Sequence, residues 1–172
     1  IGPNGAGKTT IFNALTGLRQ HTGNWPGKTV SRAEGGFEFG GQRYKLVDLP
    51  GTYSLTAYSA EELVARDYLV DERPQAVVAV LNAGSLERNL YLAVQLLELG
   101  IPIVLALNMM DEARKKGLRI NVKTLSKRLG APVVPTVALM GQGIAELFSA
   151  AMDAARNAPA LLQPASKHIR ES

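Results

Sequence analysis

Residues Gly2 to Thr9 read Gly-Pro-Asn-Gly-Ala-Gly-Lys-Thr: a glycine, four residues, then Gly-Lys-Thr. This spacing fits one local structure, in which a buried strand runs through a glycine-rich loop into a helix. Glycines let the loop close into a nest whose N–H groups point at an anion. The helix that starts there adds the field of its N-terminal dipole. Lys8 supplies a point charge for β- and γ-phosphate oxygens, and the Thr9 hydroxyl suits Mg²⁺. A nucleoside triphosphate or diphosphate is the predicted ligand. Only Ile1 precedes the motif. A parallel sheet without its central first strand leaves backbone groups unpaired, so a short further N-terminal segment is expected.

The chain has 172 residues, which suits one domain with a sizeable core. There are no cysteines, which excludes a disulfide scaffold and cysteine-based zinc sites. The net charge of +4 is not gathered into a Lys/Arg run, so it reads as a solvated surface and no nucleic-acid partner is expected. No signal-peptide pattern is read among these residues. The longest apolar stretches, residues 76–81 and 101–107, are too short to cross a bilayer and read as buried strands.

Helical and strand patterns alternate along the chain, which predicts an α/β fold with a largely parallel sheet. Helices are expected over residues 9–15, 59–69, 86–99, 122–129 and 143–157, with a charged loop or short helix over 111–117. Ser59 and Glu62 form a capping box at the second helix. Gly17, Gly100 and Gly130 stop their helices. Strands are expected over 75–81, 102–108 and 133–136. A hairpin joins 36–39 to 43–48 through Gly40-Gly41 and places one antiparallel strand at the sheet edge. Residues 20–29 are polar, rich in Gly and Pro, and read as an exposed loop carrying the only Trp, Trp25.

Three further motifs follow in order. Asp48-Leu49-Pro50-Gly51 ends a predicted strand. Asp48 can hold Mg²⁺ through water, and the Gly51 N–H can reach a γ-phosphate. Asn108-Met109-Met110-Asp111 ends another strand. The Asp111 carboxylate can accept two hydrogen bonds from guanine N1–H and N2–H₂. Adenine offers no such donors, so a carboxylate there discriminates by leaving itself unpaired. Asn108 would brace neighbouring loops. In Thr136-Val137-Ala138, the Ala138 N–H is placed to face guanine O6, while Val137 stands where a supporting Ser is usual. A threonine that closes on Mg²⁺ should lie between the first helix and Asp48. Thr29 is the first candidate and Thr22 the second.

Gly23-Asn24-Trp25-Pro26-Gly27 with Thr29-Val30, Asp48 to Leu55, Leu86-Glu87-Arg88-Asn89-Leu90-Tyr91-Leu92 and Asn108 to Glu112 together resemble the N-terminal G domain of the FeoB family of ferrous-iron transport proteins. The resemblance covers residues 1–158. It implies a P-loop NTPase of the Ras-like G-domain type, with a mostly parallel six-stranded sheet, one antiparallel edge strand and helices on both faces. Residues 159–172 would be a tail or the start of a linker. The family's other parts are a helical spacer and a transmembrane iron-permeation domain, so the implied location is the cytoplasmic face of the bacterial inner membrane. Association with a second copy is left open.

The implied ligands are GTP or GDP with Mg²⁺. Asn4, Gly5, Ala6, Gly7, Lys8, Thr9 and Thr10 would cradle the phosphates. Thr9 and Thr29 would ligate the metal directly and Asp48 through water. Thr29, Lys8 and Gly51 would meet the γ-phosphate, and Asn108, Met109, Asp111, Val137 and Ala138 the base. Gly5 replaces an Asn that helps hold K⁺ in potassium-stimulated GTPases, which argues against potassium activation. No side chain is a convincing catalyst, so turnover is expected below about 1 s⁻¹. Loops 20–30 and 51–59 are expected to order around the γ-phosphate. A GTP-responsive switch acting on RNA or ribosomes is the rival reading, and an ATPase a third.

Overall fold

The computed structural model describes residues 1–18 and 20–157. The expected tail over 159–172 lies outside the described residues. The chain runs α1 (Lys8–Thr16), β1 (Gln20–Asn24), β2 (Ser31–Phe39), β3 (Gln42–Asp48), α2 (Ala60–Glu72), β4 (Val77–Asn82), α3 (Leu86–Glu98), β5 (Ile103–Asn108), α4 (Met110–Lys115), α5 (Val122–Leu129), β6 (Val133–Pro135) and α6 (Ile144–Arg156).

Strands β4, β5 and β6 form a parallel ladder in that order, and period-2 alternation builds a core on each of its faces. Leu81, Leu105 and Leu107 join Leu92 and Leu96 of α3 on one face. Val80, Val104 and Ala106 join Ile11 of α1 and Leu147 of α6 on the other. The buried positions of α3 fall at 89, 92, 93 and 96, one stripe of a 3.6-residue period.

Strands β1, β2 and β3 form a separate antiparallel ladder, where one six-stranded sheet was expected. Ile1 and Gly2 lie between β4 and the segment that follows β3. The Ile1 nitrogen donates to Val78 O at 2.9 Å, and Val80 N–H donates to Ile1 O at 2.7 Å. On the other side Thr52 N–H donates to Gly2 O at 3.1 Å. A Cβ on Gly2 would collide with the Val80 carbonyl, which explains a glycine at this seam.

The second departure is β1. Residues Gln20–Asn24 are not a loop but pair antiparallel with Ser31–Gly35. Their side chains are mostly exposed, so backbone pairing rather than burial holds this edge. The hairpin turn at Gly40-Gly41 is as expected, with both glycines left-handed at φ 58° and 78°. Its tip is fastened to α6: Phe148 packs edge-on to Phe37 and Phe39, and the Arg156 guanidinium lies 4.7 Å from the Phe39 ring centre.

The α2 cap differs in one detail. Ser59 Oγ accepts from Glu62 N–H at 3.1 Å, but the Glu62 carboxylate accepts from Tyr58 N–H instead of Ser59 N–H. Where a charged loop or short helix is expected over 111–117, the short helix α4 covers Met110–Lys115 and a turn follows it.

Candidate functional site

The loop between Ile1 and α1 turns on two glycines with left-handed backbones, Gly5 at φ 81° and Gly7 at φ 93°. Gly7 caps α1 without any side-chain hydrogen bond, and the first turn of α1 carries no acidic residue. The Lys8, Thr9 and Thr10 N–H groups therefore lack intrahelical acceptors, which leaves an anion-seeking end. Ala6 departs from the expected cradle, because its N–H donates to Pro3 O at 3.3 Å. Asn4 and Gly5 are exposed, Thr9 is exposed, and Thr10 is half-buried.

Lys8 and Asp48 meet directly, Nζ to Oδ1 at 2.6 Å, with both side chains mostly buried. β3 delivers Asp48 there at its last residue. Next along the chain, the Asn4 amide lies against Gly51, so that any Cβ on Gly51 would strike it. Thr52 is buried, and its hydroxyl bonds within its own turn, to Ser54. That hydroxyl is committed to structure.

The far end of the site is organised by one buried amide. Asn108 ends β5. Its Nδ2 donates to Ala6 O at 2.9 Å, and its Oδ1 accepts from Thr136 Oγ1 at 2.9 Å and from Ala138 N–H at 3.0 Å. It thereby ties the phosphate loop to the loop after β6. Ala138 N–H is thus spent on Asn108, not turned outward as expected for a base contact. Val137 exchanges both backbone hydrogen bonds with Gln142, so its N–H is also engaged. Met109 holds a left-handed backbone at φ 60°, an unusual state for a residue with a Cβ, and starts α4 with Asp111 in its first turn. Gly7, Thr10, Asn108, Met109, Asp111 and Ala138 line one cleft of about 360 Å³.

Thr29 does not join them. It is exposed in the turn between β1 and β2, and no hydrogen bond among the described residues links it to Lys8, Thr9 or Asp48. Thr22, the second candidate, is exposed on β1. Trp25 corrects another expectation. It is 8% exposed, with Tyr68 of α2 edge-on at 5.5 Å and the Arg32 guanidinium 4.5 Å from its ring centre. Burial, then the charge of Glu72, raises the Tyr68 phenol above its ordinary pKa. Sequence reasoning also missed the stack of Arg88 on Tyr53, 3.9 Å from guanidinium carbon to ring centre. No local signal announces a contact between residues 35 positions apart.

A glycine loop opening onto an uncapped helix, an acidic strand end against its lysine, and an Asn-x-x-Asp loop across the cleft define a P-loop domain of the GTPase type. A family model described as ferrous iron transport protein B matches residues 1–151. The chain belongs to that family. It is 52% identical over 149 residues to the Fe(2+) transport protein A/Fe(2+) transporter FeoB fusion protein of Porphyromonas gingivalis, covering 86% of this chain and 18% of that protein. The chain thus spans about a fifth of the length of the curated relatives it matches. The G domain of the T. maritima FeoB iron transporter superposes with a TM-score of 0.82 at 42% identity, covering 90% of this chain and 94% of that one. The T. maritima cytosolic domain in its GMPPNP form gives 0.83 at 42%, covering 90% and 62%. A mutant of S. thermophilus NFeoB bound to GDP gives 0.81 at 47%, covering 87% and 59%.

Proposed function

We propose that this chain binds guanine nucleotides and slowly hydrolyses GTP, serving as the nucleotide-operated part of a ferrous-iron transporter at the cytoplasmic face of a membrane. The observation that carries the reading is the shared cleft: the phosphate loop at Gly7 and Thr10 and the carboxylate of Asp111 line the same 360 Å³ space. A purine nucleotide is the ligand whose anionic tail and base edge match those two ends. The GDP and GMPPNP forms of relatives more than 40% identical support the same assignment.

The chemistry asks for positioning and charge neutralisation more than for covalent steps. Lys8 neutralises phosphate oxygens, and the free N–H groups of Lys8, Thr9 and Thr10 hold them. The donor set fits Mg²⁺: Asp48 and Thr9 offer hard oxygens beside the loop, and Thr29 adds a third if its turn closes. When bound, Mg²⁺ supplies further charge neutralisation on the phosphates. Potassium is a poor fit, since Gly5 has no side chain and Asn4 packs against Gly51. Thr52 is committed to its own turn, so the attacking water is held by backbone groups and turnover is slow.

Titration with GTP, GDP and ATP tests the reading. Guanine nucleotides should bind and ATP should not compete. Asp111→Asn should weaken GTP and strengthen the xanthosine nucleotide, because an amide presents a donor where the carboxylate presented an acceptor. An Asp111→Asn variant with unchanged GTP affinity would refute the base assignment.

A further inference from the structure

Arg88 stands at the start of α3, next to the loop that follows Gly51, with no part in the nucleotide contacts above. Its backbone is fixed. The neighbouring Asn89 accepts from Asn82 N–H at 3.0 Å and donates to Ser85 O at 2.9 Å, which anchors the start of α3 to the end of β4. From there the Arg88 guanidinium lies over the Tyr53 ring at 3.9 Å. Tyr53 is the second residue after Gly51.

Besides the Thr52–Ser54 bonds of its own turn, the segment Gly51-Thr52-Tyr53 is tied to the phosphate loop and to α3 by three contacts among the described residues. Thr52 N–H donates to Gly2 O at 3.1 Å, and the Asn4 amide presses on Gly51. These two come from the phosphate loop itself. The third, Arg88 on Tyr53, comes from α3 and ties the segment to the parallel sheet. Asn4, Tyr53 and Arg88 line one small cleft, about 40 Å³ in volume, beside the phosphate loop. Gln95, two turns further along α3, accepts from Leu55 N–H at 2.8 Å, so the helix follows the loop beyond Tyr53.

We propose that Arg88 is a positioning residue that holds Gly51 in register with the phosphate loop and so favours the triphosphate over the diphosphate. The inference rests on the guanine-nucleotide reading. A γ-phosphate needs Gly51 in place, whereas a diphosphate does not reach it, so the effect is confined to one nucleotide state. Both groups are exposed to solvent, Tyr53 at 38%, which sets the scale of the cation–π attraction at about 2- to 5-fold in an equilibrium constant.

The test titrates this chain with GDP and with a non-hydrolysable GTP analogue. Arg88→Ala should weaken the analogue about 2- to 5-fold and leave GDP unchanged. Arg88→Lys should restore part of the loss, because an ammonium still sits over the ring. Tyr53→Phe keeps the ring and should behave as the parent. Tyr53→Leu should match Arg88→Ala, and the double variant should be no worse than either single one. Equal losses for both nucleotides, or additive losses in the double variant, would overturn the proposal. So would Arg88→Ala with intact affinity for both. A parent chain that binds neither nucleotide would overturn the proposed function itself. Should Arg88→Ala fail to fold, the Tyr53→Leu and Arg88→Lys comparison decides alone.

Discussion

Replacing Asn108 with alanine removes three hydrogen bonds from a side chain that is 3% exposed. The consequences differ among its partners. The Thr136 hydroxyl can rotate towards another acceptor. The carbonyl of Ala6 and the N–H of Ala138 are fixed backbone groups of residues 1% and 7% exposed. Each backbone group left unpaired costs about 1–3 kcal/mol. Ala138 borders the cleft, where water can reach it, so its share falls at the low end. The expected loss is about 3 kcal/mol, which is a fall in melting temperature of about 6–12 °C for a chain of this size. Urea denaturation followed by circular dichroism measures it directly. Thr136→Val supplies the scale: it removes one donor while Asn108 Oδ1 keeps its bond from Ala138, so about 1 kcal/mol is expected. A loss below about 1 kcal/mol for Asn108→Ala, or one equal to that of Thr136→Val, would refute the view that this amide holds two loops together.

Two other perturbations follow from the same geometry. Trp25→Phe keeps the ring against Tyr68 and Arg32 and removes a buried indole N–H that has no partner among the described residues, so stability should change by less than about 1 kcal/mol, while Trp25→Ala should cost about 3–5 kcal/mol in the same denaturation assay. Gly7→Ala places a Cβ onto the Asn108 amide at a backbone φ of 93°, and isothermal titration should show nucleotide binding lost with the melting temperature lowered.

Legibility in the sequence follows the range of the forces. Helix α5 was readable because its determinants are local: Asn121 accepts from Thr124 N–H at 3.0 Å, and Gly130 takes a left-handed backbone. The hairpin was readable for the same reason, through Gly40-Gly41. β1 was not, because Gln20–Asn24 has no alternation and owes its place to backbone pairing with β2. Trp25 looked exposed because its company, Arg32 and Tyr68, is supplied by β2 and α2. In the site, the positions of Lys8, Asp48, Asn108 and Asp111 were legible as motifs, since Lys8 opens a helix and Asp48 and Asn108 end strands. The acceptors and donors they engage were not. Asn108 spends its amide on Ala6, 102 residues earlier, and that choice also consumes the Ala138 N–H.

The hairpin of β2 and β3 is held at both ends. Phe148 and Arg156 rivet its tip to the last helix, while at the open end Asp48 meets Lys8 and β1 pairs along the start of β2. A ribbon pinned twice keeps its strand register. The metal-facing carboxylate proposed for Asp48 is thereby carried on a rigid strand, while the exposed turn that bears Thr29 lies outside both rivets.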